Sequence, residues 1–245
     1  MKLSKLLFIV LMAMVACSKN ESSPSLQNAK VTTTTVQAPA GLTTAANTNT
    51  HAQEAASYVA IANGMSSYTS YFTVPASGAT KSSTAIKASN GRVAAVASTT
   101  ETYTWTDPQY GSVAFQISDL GTSYKWEYFY KSPGSNDWLK YLNAEELKDG
   151  TLGDIKVLDF TGTDPKAVEL EFNWTTVKDQ YTFQWTDPYS YFLLKMNTTT
   201  KAGTIDFYEG SGVNALISYK YSWGADGHGS WQSFDSGVQN GSGTW

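Results

Sequence analysis

The chain has 245 residues, a formal charge of −4, 13% aromatic side chains and only 16% charged ones. That balance supplies ample ring and apolar surface for a core and excludes a chain disordered outside its termini. A single arginine, Arg92, and no basic run argue against nucleic acid as a partner. The one cysteine, Cys17, excludes internal disulfides and a thiolate metal cluster, and no metal-ligand or phosphate-cradling spacing occurs, so no metal or cofactor is expected.

Lys2 and Lys5 precede an apolar run from Leu6 to Val15, which is too short to span a bilayer as a mature helix. The run closes in Met14-Val15-Ala16-Cys17. Small residues just before a cysteine at the end of such a run resemble the lipobox of bacterial lipoproteins, with Met14 in place of the more usual leucine. The resemblance implies that residues 1–16 are a signal peptide cut before Cys17. It further implies that acyl chains on Cys17 hold the protein on a membrane, and that Ser18 directs it to the outer membrane of the cell envelope. Three acyl chains bury far more CH₂ groups than a single myristoyl chain, so such an anchor is stable. Residues 17–50 are rich in Ser, Thr, Ala and Asn and read as the lipidated cysteine followed by a flexible tether.

Thr50-His51-Ala52-Gln53 fits a capping box, and apolar residues then recur at three- and four-residue spacing as far as Asn63-Gly64. This predicts a helix over residues 51–63 with His51 solvated beside its cap. Residues 66–72 fit either a further helical turn or a strand, and residues 75–91 read as a loop. From Arg92 onward the period is two, as in Val168, Leu170, Phe172 and Trp174, which marks half-buried antiparallel strands. Strands are expected near 93–99, 101–107, 111–120, 122–132, 154–161, 167–177, 180–187, 189–198, 202–209, 214–224, 229–235 and 241–245. Asn143 to Lys148 consists of helix formers and reads as a single helical turn.

One phrase occurs twice: Tyr103-Thr104-Trp105-Thr106-Asp107-Pro108 and Phe183-Gln184-Trp185-Thr186-Asp187-Pro188, offset by 80. Asp then Pro opens a type I turn, so each copy reads as an aromatic strand, a tight turn and a returning strand. A weaker echo sets Trp126-Glu127-Tyr128-Phe129 against Ile205-Asp206-Phe207-Tyr208 at an offset of 79. The expected fold is mainly β. It is a long antiparallel meander, a bent sheet or open barrel with an internal duplication, carrying one N-terminal helix. It forms a single β-rich domain over 51–245, with repeat halves near 92–150 and 167–245. A strongly bent sheet holding the helix in its concavity is the first choice, a closed barrel the second and a two-sheet sandwich the third.

The residues that bear chemistry are dispersed. His228 sits in a Gly-rich turn with no nucleophile motif beside it. Glu127 and Asp206 occupy equivalent places in the echo and form the one conceivable acid–base pair, while Glu145-Glu146 reads as solvated helix surface. The aromatic rows carry more information. Tyr124, Trp126, Tyr128 and Tyr130 share one strand face; Tyr219, Tyr221 and Trp223 share another. Rings with polar tips need partners when fully buried, so such a row suits a half-wet surface. These features point to a non-catalytic module, tethered to the envelope, that binds an apolar or amphipathic ligand along Tyr124–Tyr130. The helix-then-meander order behind a lipidated cysteine is similar in layout to LolA/LolB-like lipoprotein carriers, with none of their motifs. The alternative reading is a surface lipoprotein that binds glycan or a partner protein through an aromatic strip. A hydrolase using the dispersed carboxylates ranks third.

Overall fold

The computed structural model describes residues 26–43, 47–74, 78–89, 99–159, 167–210 and 212–245. Cys17 and most of the strand expected over 93–99 lie outside them. The helices are α1 (Ala40–Thr43), α2 (Thr50–Gly64) and α3 (Ser66–Thr69). The strands are β1 (Thr80–Ser82), β2 (Thr99–Asp107), β3 (Gly111–Asp119), β4 (Ser123–Lys131), β5 (Leu139–Leu147), β6 (Leu152–Leu158), β7 (Val168–Val177), β8 (Gln180–Thr186), β9 (Ser190–Asn197), β10 (Gly203–Glu209), β11 (Leu216–Trp223), β12 (Gly229–Asp235) and β13 (Val238–Thr244). The chain is a mainly β antiparallel meander whose strand order follows sequence order, as the two-residue period and the short connections require. It divides into two compact units. One comprises Met1–Val31, Thr69–Lys148 and Val157–Ala167; the other comprises Thr32–Tyr68, Asp149–Lys156 and Val168–Trp245. One repeat half falls in each.

In the first unit, alternation sorts β2–β5 into two rows. Tyr103 faces Phe115 and Phe115 faces Tyr128, while Ile117, Trp126 and Ala144 align in the next register. All six side chains are buried. Phe72 closes over them, its ring 6.4 Å from Trp126 and 6.3 Å from Tyr128. The opposite face carries the polar row Thr102, Gln116, Glu127 and Asn143. It is covered too, because the segment after β1 crosses it: the Ile86 amide donates to Gln116 Oε1 at 2.7 Å, and Thr102 Oγ1 donates to the Thr84 carbonyl at 2.9 Å. The stretch expected to be a loop over 75–91 thus contains β1 and a strap that seals polar groups.

In the second unit, α2 buries Ala52, Ala55, Val59 and Ala62, and Tyr58 sets its ring 4.9 Å from Phe192 and 5.9 Å from Phe207. Its cap is Asn49, whose Oδ1 accepts from the His51 and Ala52 amides. This corrects the Thr50–Gln53 capping box: Gln53 instead donates to the Asn47 carbonyl at 3.1 Å. At the other end, the Asn63 side chain bonds both backbone groups of Val36, at 2.9 and 2.7 Å. Glycines receive tryptophan rings across neighbouring strands: Gly153 faces Trp174, Gly203 faces Trp223, Gly229 faces Trp245 and Gly243 faces Trp231. A methyl group at any of these positions meets the ring.

Two further expectations change. Residues 26–43 are not a free tether, since Leu26, Ala29, Val31, Val36 and Leu42 are buried; a few well-spaced apolar side chains dock an extended segment that average composition makes look loose. Asn143 to Leu147 belongs to β5 rather than to a helical turn. Trp126 opposite Ala144 and Lys125 opposite Glu145 override local propensity, and Glu146 is buried rather than solvated.

The repeated phrase opens an antiparallel hairpin in both places, with the same aspartate cap but turns that differ in length by one residue. Asp107 Oδ1 accepts from the Gln109 and Tyr110 amides at 2.8 and 3.0 Å, and Asp187 Oδ1 accepts from the Tyr189 and Ser190 amides, both at 2.7 Å. Pro108 and Pro188 follow at the second turn position. Trp105 pairs with Val113 across seven residues, 106–112, whereas Trp185 pairs with Phe192 across six, 186–191. The extra residue of the first turn corresponds to Gly111, at φ 95°, and its loss accounts for the change of offset from 80 to 79. The later echo slips further. Phe115 faces Tyr128 and its counterpart Leu194 faces Ile205, so Tyr128 corresponds to Ile205 and not to Phe207. Trp105 and Trp185 are both half-buried, and Trp185 stacks on Phe192 at 5.8 Å.

Candidate functional site

The expected row on β4 is core at its centre. Trp126 is 0% exposed and Tyr128 is 5% exposed, so only Tyr124 and Tyr130 stay half-buried. The Tyr128 hydroxyl donates to the Tyr71 carbonyl at 2.5 Å, and burial pushes its phenol well above the usual range. Trp126 Nε1 has no partner among the described residues. Lys148 lies 4.8 Å from the centre of the Tyr124 ring. No ring face at the middle of this row is free for a ligand.

Glu127 is 3% exposed and both its oxygens are engaged. Oε1 meets Lys125 Nζ at 3.0 Å and Lys140 Nζ at 2.8 Å, and Gln116 Nε2 donates to Oε2 at 3.0 Å. Burial works to raise its pKa, but the two ammonium groups outweigh burial and hold the carboxyl below its ordinary value. Such a group is ionised at neutral pH and has no proton to give, which suits a structural ion network rather than a general acid. Its supposed partner Asp206 lies in the second unit, on β10, half-buried.

His51 is not solvated as expected. Its ring stacks on Trp231 at 3.9 Å, and Nδ1 lies 3.0 Å from Glu54 Oε2, the same oxygen that accepts the Tyr221 hydroxyl at 2.9 Å. The cluster ties α2 to β11 and β12. His228 is exposed, with Nδ1 3.3 Å from the Trp245 carbonyl. Tyr221 and Trp223 are buried and Tyr219 is half-buried.

The free aromatic surface is on the other side of the second unit. On β9, Phe192, Leu194 and Met196 point into the core, which leaves Tyr191, Leu193 and Lys195 outward. Tyr191 stands opposite Tyr208 on β10, and the two rings stack at 4.4 Å with 11° between their planes. Burial, slight here, and then the Asp206 charge raise both phenols above the ordinary value. On the far side of Tyr191 the neighbour is the short Thr186, whose hydroxyl accepts from Gln184 Nε2 at 3.0 Å. Beyond it stands Glu171, paired with Lys156 at 3.0 Å. The adjacent row across the strands is Gln184, Leu193, Asp206, Lys220 and Gln232. One acid and one base in that row leave it without net charge. Two hollows on this unit, one beside Tyr219 and Phe234 and one beside Trp223 and His228, are open to solvent rather than enclosed.

Tyr191 and Tyr208 were not singled out from the sequence. The available signal was their equal distance from the connection between β9 and β10: Met196 pairs with Gly203, so residues five before and five after must meet. No family model, no curated protein and no solved structure matches the chain.

Proposed function

We propose that the protein is a lipid-anchored envelope protein that binds a neutral glycan on the outer face of its second unit and catalyses no reaction. The observation that carries this reading is the half-buried Tyr191–Tyr208 stack, bordered by the row from Gln184 to Gln232, in which Asp206 and Lys220 leave no net charge. A sugar ring has a C–H face that packs on an aromatic face and a rim of hydroxyls that pairs with amides, hydroxyls and carboxylates. The surface supplies both kinds of group side by side. Glycan binding is favoured over an apolar or amphipathic ligand because Trp126 and Tyr128 are packed and the hollows are open. Binding of wild-type protein to immobilised neutral oligosaccharides tests the reading; binding only to fatty acids or lysolipids contradicts it.

The anchor half of the proposal rests on the lipobox resemblance at Cys17. Among the described residues no helix is long and apolar enough to cross a membrane. Cys17→Ser is expected to abolish incorporation of labelled fatty acid in cells. Full labelling of that variant contradicts the anchor.

A further inference from the structure

The last strand, β13, stands at the end of the strand order, so one of its edges has no partner strand among the described residues. Gly229 and Trp245 exchange both backbone hydrogen bonds, at 3.3 and 3.0 Å. Bonding direction alternates along an antiparallel strand, so Gly241, Gly243 and Trp245 turn their backbone groups to β12, while Ser242 and Thr244 turn theirs outward. A bulge leaves Asn240 without a facing residue, because Ser233 pairs with Gly241 and Phe234 with Gln239. The regular free edge is therefore residues 241–245. Sheet edges are commonly blunted by charge, proline or a cover. This one has no charged residue and no proline, and among the described residues nothing covers it.

We propose that this edge pairs with the same edge of a second copy of the chain, antiparallel, about a two-fold axis through Gly243. That register puts Gly243 opposite Gly243 and Ser242 opposite Thr244, a small hydroxyl pair of the kind that stabilises neighbouring strands. Gly241 and Gly243 on one face and short hydroxyls on the other keep the edge small, the Trp245 ring is turned back onto Gly229 with its Nε1 donating to the Gly227 carbonyl at 2.7 Å, and the absence of charged side chains leaves nothing to repel. A symmetric pairing of one patch with itself closes as a dimer instead of propagating as a fibre. Five residues a side make a weak contact in dilute solution; copies held on one surface meet at far higher effective concentration.

Two sets of variants of the full chain, all carrying Cys17→Ser, as does the wild-type reference, so that no other thiol or acyl chain is present, test the pairing. In the proposed register a Ser242 faces a partner Thr244 at about 5.5 Å between Cα atoms, within disulfide range. Identical residues at either position are two registers apart. A mixture of Ser242→Cys and Thr244→Cys proteins, treated with a thiol oxidant, is expected to cross-link several-fold more than either alone. In the second arm, Ser242→Pro removes an outward N–H and no bond to β12, so light scattering at high concentration is expected to find wild-type dimers and a monomeric variant with an unchanged melting temperature. Equal cross-linking in the mixture and in each protein alone overturns the proposal. A wild type that stays monomeric at every concentration, or dimers that persist in the proline variant, overturns it as well.

Discussion

Glu127→Ala is expected to destabilise the first unit by about 3–5 kcal/mol, because removing one partner of a buried ion network leaves the others uncompensated. The carboxylate is nearly inaccessible, and Lys125 and Lys140 share its Oε1 at 3.0 and 2.8 Å. Without it the two ammonium groups that share Oε1 lose the charge between them. Glu127→Gln keeps the amide contact to Gln116 but loses the charge, and it also probes acid stability. The carboxyl is held below its ordinary value of 4.5 in the folded chain. Its contribution is therefore complete above pH 4.5 and lost as pH falls through the lowered folded-state value. Asp119 acts in the same direction. Burial opposes its ionisation, but the Lys148 ammonium and the Gly121 amide hold its pKa down. Urea denaturation at neutral pH and below pH 4.5 checks both points: wild type loses stability on acidification, and Glu127→Gln starts lower and loses less.

Trp126→Ala is expected to cost about 3–5 kcal/mol, the range for emptying a buried large aromatic site. The ring has 0% exposure and sits among Ile117, Ala144 and Phe72. Its Nε1 has no partner among the described residues, so no hydrogen bond is lost and the penalty is one of packing. Trp126→Phe, which returns most of the ring, is expected to recover most of the loss. The check is the urea midpoint at unchanged slope. An alanine variant as stable as wild type contradicts the placement of this ring in the core.

Much of the fold was legible because the strands repeat with period two and the turns carry Asp-Pro, Gly or Lys-Asp. Apart from β1 and β5, the strands fall where alternation and turn residues put them. The strand β5 was hidden because Asn143-Ala144-Glu145-Glu146 favours a helix locally, and only the facing residues of β4 decide otherwise. The docking of residues 26–43 was hidden for a related reason: single apolar side chains act through tertiary contact, which composition does not reveal. The candidate site was less legible. Alternation tells that Trp126 and Tyr128 share a face, but not that Phe72 returns to cover it. Tyr191 and Tyr208 each look ordinary in the sequence and become a surface only through the register of β9 with β10.

The central claim, a glycan on the Tyr191–Tyr208 face, is tested most directly by calorimetric titration of one binding oligosaccharide into wild type, Tyr191→Ala and Tyr124→Ala. Stacking on an aromatic ring contributes about 0.5–1.5 kcal/mol, so Tyr191→Ala is expected to bind roughly three- to tenfold more weakly, while Tyr124→Ala binds as wild type does. Unchanged affinity in Tyr191→Ala, or a loss confined to Tyr124→Ala, contradicts the account.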